Sequence, residues 1–212
     1  MGREQRVAVV QLSRKAVGDR IVQDLSLSWT VAAAIGRQAP TLSALIEAAV
    51  SEHGRVDLVV VDVGATSDPR PVLATSSDDV FDAVADLGYL VAGLQCALDV
   101  MSLNAPGGRA IILMSANAKA ATLAQSMLAM VEHGVAGFIK VASREVGPSG
   151  ITLNAVLVDW EDDVRNSPQF SSLTGTRTTP AQVSAAVELL ASDVGGGITG
   201  TFLPFDGGRT PY

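Results

Sequence analysis

The 212-residue sequence contains one cysteine, Cys96, and two histidines. A single cysteine excludes an internal disulfide, and so few thiols and imidazoles exclude a zinc site of the Cys-rich kind. We expect Cys96 to be a buried or half-buried thiol rather than a nucleophile. The sequence therefore predicts neither a disulfide scaffold nor a metal site.

Basic residues are also scarce. The only lysines are Lys15, Lys119 and Lys140, the formal net charge is -7, and the isoelectric point is about 4.7. Phosphate backbones are bound by clustered Lys and Arg, which acidic residues outnumber here. We therefore expect no nucleic-acid partner.

Long apolar runs are missing from the start of the chain, because residues 1–6 are polar and lead into a short apolar stretch at 7–10. This pattern predicts no secretory signal and no membrane span, so a cytoplasmic location is expected. Aromatic residues make up only 4% of the sequence although 48% is hydrophobic. A core of Ala, Val, Leu and Ile is typical of a parallel sheet covered by helices on both faces, an α/β architecture.

Short β-branched runs alternate with longer helical patterns, as in successive strand and helix units. The segment 29–35, WTVAAAI, fits a strand or an alanine-rich helical turn. Helix-start and helix-end signals include Thr179 before Pro180 and Gly54 after an apolar repeat. The predicted strands are 7–10, 57–63, 110–114, 151–158 and 201–205, and the predicted helices are 41–53, 78–101, 122–146 and 180–192.

Four segments resemble the short-chain dehydrogenase/reductase family in order and spacing. They are HGRVDLVVVDVG at 53–64, GGRAIILMS at 107–115, GFIKVASREVGPSGITLNAVLV at 137–158 and TPAQVSAAVELLASDVGGGITGTFLPFDGG at 179–208. The resemblance implies one Rossmann-like domain over 1–212, with a doubly wound parallel sheet in three layers.

The same resemblance implies a truncation near the start of the chain. Only 36 positions separate Gly18 from Gly54, so we expect one strand-helix unit of the family to have been deleted after the first strand. The domain then divides into a degenerate nucleotide-binding part at 1–64, oligomerisation helices at 78–101 and 122–146, and a C-terminal part at 151–212.

The residues that the family uses for catalysis are mostly replaced. In the family a tyrosine exchanges a proton while hydride moves to or from nicotinamide, and a lysine four residues later lowers the tyrosine pKa. The resemblance puts the catalytic serine at Ser115, the tyrosine at Leu128, the lysine at Glu132 and an asparagine at Gly88. Only Ser115 is retained, and the hydroxyl of an isolated serine often forms no more than a hydrogen bond to the backbone. We expect no catalytic residue among these positions.

The nucleotide-binding turn is altered as well. The family places three glycines where the backbone meets the pyrophosphate, and the matching positions are Leu12, Ala16 and Gly18. One glycine does not make a phosphate loop. We therefore expect no bound cofactor.

The two long helices retain the resemblance best, and in the family such helices pack between subunits. Ala129, Gly134 and Gly137 are small residues that would permit close approach at this interface. These features predict a catalytically inactive subunit, which assembles with an active short-chain homologue in a heterodimer or heterotetramer, or else forms a homo-oligomer.

Two other hypotheses remain open. One is a diverged lyase or isomerase that uses Ser115, Tyr89 or the acidic loop in the old substrate cleft, and the other is a small-molecule binder or sensor. The acidic loop could hold a hard cation, although a solvated loop is favoured. Tyr212, the last residue, could reach a neighbouring subunit's cleft. The acidic loop consists of Asp159, Glu161, Asp162 and Asp163.

Overall fold

The computed structural model describes residues 6–36, 38–64, 69–104, 107–116, 123–159, 172–175 and 177–210. Within these ranges strands and helices alternate along the chain. The strands are β1 (Val7–Leu12), β2 (Thr30–Ile35), β3 (Leu58–Asp62), β4 (Arg109–Ser115), β5 (Thr152–Val158) and β6 (Phe202–Phe205). The helices are α1 (Lys15–Leu25), α2 (Leu42–His53), α3 (Ser77–Ser102), α4 (Ser126–Val146) and α5 (Pro180–Ala191).

Local sequence sets several helix ends. The Ser76 hydroxyl accepts a hydrogen bond from the Asp79 amide, and the Asp79 carboxylate accepts one from the Ser76 amide, which forms a capping box at the start of α3. Thr179 and Gln182 form the same arrangement around α5. Gly54 ends α2 in the left-handed region, with φ of 75°, a conformation that glycine adopts without strain.

The strands form one parallel sheet in the order β2-β1-β3-β4-β5-β6. From β1 the sheet grows towards β2 in one direction and towards β3 and the later strands in the other, so the order reverses between β1 and β3. In open parallel sheets this reversal opens a crevice at the carboxyl ends of the two central strands. The crevice is therefore bounded by the residues that follow β1 and β3.

Two hydrophobic clusters, one on each face of the sheet, give the fold its three layers. Leu42 of α2, Leu94 of α3 and Ile139 of α4 belong to the cluster on one face. Ile21 of α1 and Leu190 of α5 belong to the cluster on the other face. Most central-strand residues are buried on both sides, as their continuous apolar runs predict.

The predicted α/β fold is confirmed, with differences mainly at the ends of elements. The segment 29–35 contains a strand, β2, rather than a helical turn. Helix α4 begins at Ser126 instead of residue 122, and residue 122 lies outside the described ranges. One strand and one helix, β2 and α2, connect α1 to β3; the deletion of a family unit stays a prediction.

Helix α3 is long and apolar enough to cross a membrane by length and composition alone. Its buried side chains, including Leu94 and Met101, instead belong to the cluster that covers the sheet. An amphipathic helix of a layered α/β fold meets the same composition test.

The contact between α3 and α2 gives a stability prediction. A Cβ added at Gly93 would lie 2.6 Å from the Leu42 Cβ, whereas one added at Gly88 meets nothing within 4 Å. Gly93→Ala should lower the free energy of unfolding by about 1–3 kcal/mol through overpacking. Gly88→Ala, the matched control, should raise it by up to about 1 kcal/mol because alanine favours a helix. Urea unfolding measures both, and equal effects would contradict this packing.

Candidate active site

Polar residues follow or end the parallel strands along one edge of the sheet. Ser13 follows β1, Asp62 ends β3, Ser115 ends β4, Asp159 follows β5 and Asp206 follows β6. The strand pairing keeps these ends aligned, since Ser115 is paired with Val158 and the Val63 amide donates to the Leu113 carbonyl at 2.9 Å. We call this set of five residues the carboxyl-edge row.

Asp62 and Ser13 are bonded across the crevice between β1 and β3. The Ser13 amide donates to both Asp62 carboxylate oxygens, at 2.9 and 3.0 Å, and the Ser13 hydroxyl donates at 2.6 Å. Burial raises the pKa of Asp62, while the hydrogen bonds from Ser13 and the charge of Arg14 act in the opposite direction. The carboxylate is thus fixed at the start of α1.

Ser115 is held by the residue at the family's lysine position. Glu132 is 1% exposed, and its carboxylate accepts a hydrogen bond from the Ser115 amide at 2.5 Å. Leu128, at the tyrosine position, is half-buried and packs against the hydrophobic cluster below α4. The structure therefore brings Ser115 and Glu132 together, and Glu132 contacts the backbone of the serine.

The far end of the row contains a buried ion pair. The Arg209 guanidinium donates to the Asp159 carboxylate, and both residues are buried. Asp206 accepts hydrogen bonds from the Thr210 amide at 3.0 Å and its hydroxyl at 2.5 Å. Asp159 is consequently no part of a solvated loop, contrary to our expectation, because its charge is paired inside the protein.

The rest of the acidic loop, residues 161–163, lies outside the described residues. Within the part of the chain that the structure describes, no cluster of three or more His, Cys, Asp and Glu side chains could hold a metal ion.

The other candidates from the sequence lie on the exposed side of α3 or outside the described residues. Gly88, at the family's asparagine position, lies on the exposed side of α3, with nothing within 4 Å of an added Cβ. Tyr89 is 67% exposed on the same helix. Tyr212 is outside the described ranges.

The predicted interface residues on α4 differ in their surroundings. A Cβ on Gly134 would lie 2.7 Å from Leu87 Cδ2, so this glycine permits close packing of α4 on α3 within the chain. Gly137 is exposed with nothing within 4 Å of an added Cβ. Ala129 is half-buried, and its carbonyl lies 2.8 Å from His133 Nδ1.

The family resemblance implies a nicotinamide dinucleotide bound at the first turn, between β1 and α1. Leu12 is buried in the core and Ala16 is exposed. Gly18 serves packing, because a Cβ there would lie 2.7 Å from Ile35 Cδ1. The Ser13 amide already donates to the Asp62 carboxylate, where a phosphate would meet like charge. In this arrangement the turn is a poor site for a pyrophosphate.

Sequence reasoning missed the contacts of Ser13, Glu132 and Arg209. Each arises from tertiary packing, since Ser13 bonds a residue 49 positions away and Arg209 one that is 50 positions away. The sequence did contain a signal for the site. A polar residue ends or follows each of five strands, and the carboxyl ends of parallel strands lie at one edge of the sheet.

Comparison with known proteins gives the family directly. Residues 3–210 match the family described as Enoyl-(Acyl carrier protein) reductase. Short-chain reductase protein NovJ of Streptomyces niveus is 30% identical over 81% of this chain and 71% of its own length. The 3-oxoacyl-[acyl-carrier-protein] reductase FabG of Chlamydia muridarum is 28% identical over 79% and 71%.

Solved structures agree on the fold. A short-chain dehydrogenase/reductase from Serratia marcescens superimposes with a TM-score of 0.76 and covers 97% of this chain and 98% of its own, at 24% identity. At that identity the likeness establishes the Rossmann-like architecture alone.

These comparisons contradict our prediction of a catalytically inactive subunit. The relatives are named as reductases, and the fold is that of the enzymes. The substitutions at Leu128 and Glu132 exclude those two side chains from the family's roles, but they say nothing about other groups at the same edge. The chain belongs to the short-chain dehydrogenase/reductase family.

Proposed function

We propose that this chain is an oxidoreductase that interconverts a carbonyl compound and the corresponding alcohol at the carboxyl edge of its sheet, with a nicotinamide nucleotide as the hydride donor or acceptor and solvent as the source or acceptor of the proton. The reductase names of the relatives support the reaction class. The observation that carries the proposal is the position of Ser115, which ends β4 in the middle of the carboxyl-edge row. A cytoplasmic location is proposed with it.

Ser115 is proposed to bind the reacting oxygen of the substrate. Its hydroxyl can donate a hydrogen bond to a carbonyl or alkoxide oxygen, and a donor aimed at developing negative charge accelerates such reactions. The Glu132 carboxylate accepts a hydrogen bond from the Ser115 amide, which fixes the backbone at this residue. Because the backbone is fixed, the hydroxyl loses little freedom when substrate binds.

An assay of carbonyl reduction tests the proposed role of Ser115. Purified protein is mixed with a panel of aldehydes and ketones plus NADH or NADPH, and loss of nucleotide absorbance is recorded. We expect turnover by the wild type and a drop in kcat/KM of roughly 10- to 100-fold in Ser115→Ala, since one oxyanion donor is lost.

Ser102→Ala is the matched control, because Ser102 ends α3 and its hydroxyl donates to the nearby Asp99 carbonyl. Its activity should equal that of the wild type. No turnover with any substrate would contradict the proposed reaction. Equal activity of the two alanine variants would contradict the proposed role of Ser115.

A second copy of the chain is the proposed partner, bound through the outer side of α3 and α4. Helix α3 exposes apolar side chains there, including Phe81 at 70%, Val84 at 52% and Tyr89 at 67%. Helix α4 adds Val141 at 58% beside the exposed Gly137. Contiguous exposed apolar surface is a mark of an interaction site. Assembly with an active homologue stays an untested prediction.

The charges on the two helices complement each other in a two-fold pair. Helix α3 begins with the exposed residues Asp78 and Asp82, whereas α4 carries Lys140 and Arg144 towards its end. Both helices follow parallel strands and start at the carboxyl edge. An antiparallel two-fold arrangement would therefore bring the acidic start of α3 near the basic end of α4 in the partner.

Val84→Glu tests this assembly, because it places a charge in the exposed stripe of α3. We expect a dimeric wild type and a monomeric Val84→Glu variant by light scattering. Val194→Glu is the matched control, since Val194 is 76% exposed after α5 and should leave the dimer intact. A monomeric wild type would contradict the proposal.

A further inference from the structure

The turn between β1 and α1 contains an internal anion. Asp62 accepts hydrogen bonds from the Ser13 amide and hydroxyl, and it is 8% exposed. The Ser13 amide can only donate, so Asp62 is the acceptor of the two amide contacts. The position is fixed by β1 and β3 pairing, which sets Gln11 opposite Val61 one residue before Asp62.

Burial raises the pKa of the Asp62 carboxyl, whereas the Ser13 hydrogen bonds and the charge of Arg14 favour its charged form. The first turn of α1 contains no acidic residue, and the adjacent Arg14 is the charged group whose field acts on Asp62. Amide groups at the start of a helix and a nearby cation are the groups that bind phosphate in other proteins. Here the Ser13 amide and the charge of Arg14 interact with the protein's own carboxylate, Asp62.

A phosphate that approached the turn would meet two obstacles. The Ser13 amide would have to leave Asp62, and the charge of Asp62 would remain nearby, where like charges repel strongly because solvent screening is reduced.

We propose that Asp62 is a built-in competitor for the phosphate groups of a dinucleotide, so that the β1–α1 turn binds such a nucleotide weakly unless the carboxylate is removed. Asp62 thereby sets the nucleotide affinity of the chain from within the fold. The inference concerns binding and does not require the proposed reaction.

The experiment measures binding of NADPH, NADH and inorganic pyrophosphate by isothermal titration calorimetry, without turnover. Asp62→Asn keeps an oxygen that can accept from Ser13 but removes the charge. We expect it to bind all three at least about tenfold more tightly than the wild type, because a like charge next to the phosphates is gone.

Asp99→Asn is the control, since it changes the net charge equally on the exposed surface of α3 and should leave the affinities unchanged. Asp62→Ser replaces Asp62→Asn if circular dichroism shows the latter unfolded. Equal or weaker binding by the folded Asp62 variant, or equal gains in Asp99→Asn, would overturn the inference. A protein without turnover whose Asp62 variant gains affinity would refute the proposed reaction alone.

Discussion

The parallel direction of the strands is the constraint on which the site depends. Each strand of the described sheet ends at the same edge, so whichever residue follows a strand is placed beside those that follow its neighbours. Ser13, Asp62, Ser115, Asp159 and Asp206 become neighbours in this way although the chain separates them widely. The strand order reverses between β1 and β3, next to Ser13 and Asp62, and ligands of open parallel sheets bind at such a position.

Buried carboxylates give this edge its chemical character. A buried charge is tolerated only when hydrogen bonds or ion pairs replace its hydration. Asp62 is satisfied by Ser13, Glu132 accepts from the Ser115 amide, and Asp159 is paired with Arg209. Backbone amides and Arg209 thus bind the protein's own carboxylates at this edge, where the family resemblance implies a lysine and a bound phosphate. The result is an edge with a fixed polar frame and a carboxylate at the start of α1.

Much of the fold could be predicted from the sequence, because the spacing of apolar residues and the residues that cap helices are local features of the sequence. Thr179 and Gly54 marked helix ends that the structure contains, and the buried strands were visible as β-branched runs. Segment 29–35 was ambiguous because its alanines favour a helix whereas its β-branched residues favour a strand, and pairing of β2 with β1 decides between them. The site was less accessible. The substitutions at Leu128 and Glu132 were readable, but the step from them to an inactive protein was wrong, because the relatives are named as reductases. Contacts such as that of Ser13 with Asp62 could not be predicted, because they depend on packing across the sheet.

The central claim is that ligands of this protein bind along the carboxyl edge of the sheet. Amide chemical shifts recorded by NMR during titration with a carbonyl substrate or its alcohol product test it directly. The account predicts that the largest changes occur at Ser13, Asp62, Ser115 and Asp159. Changes confined to the opposite edge, around Arg144 and Gly200, with the carboxyl edge unaffected, would contradict it.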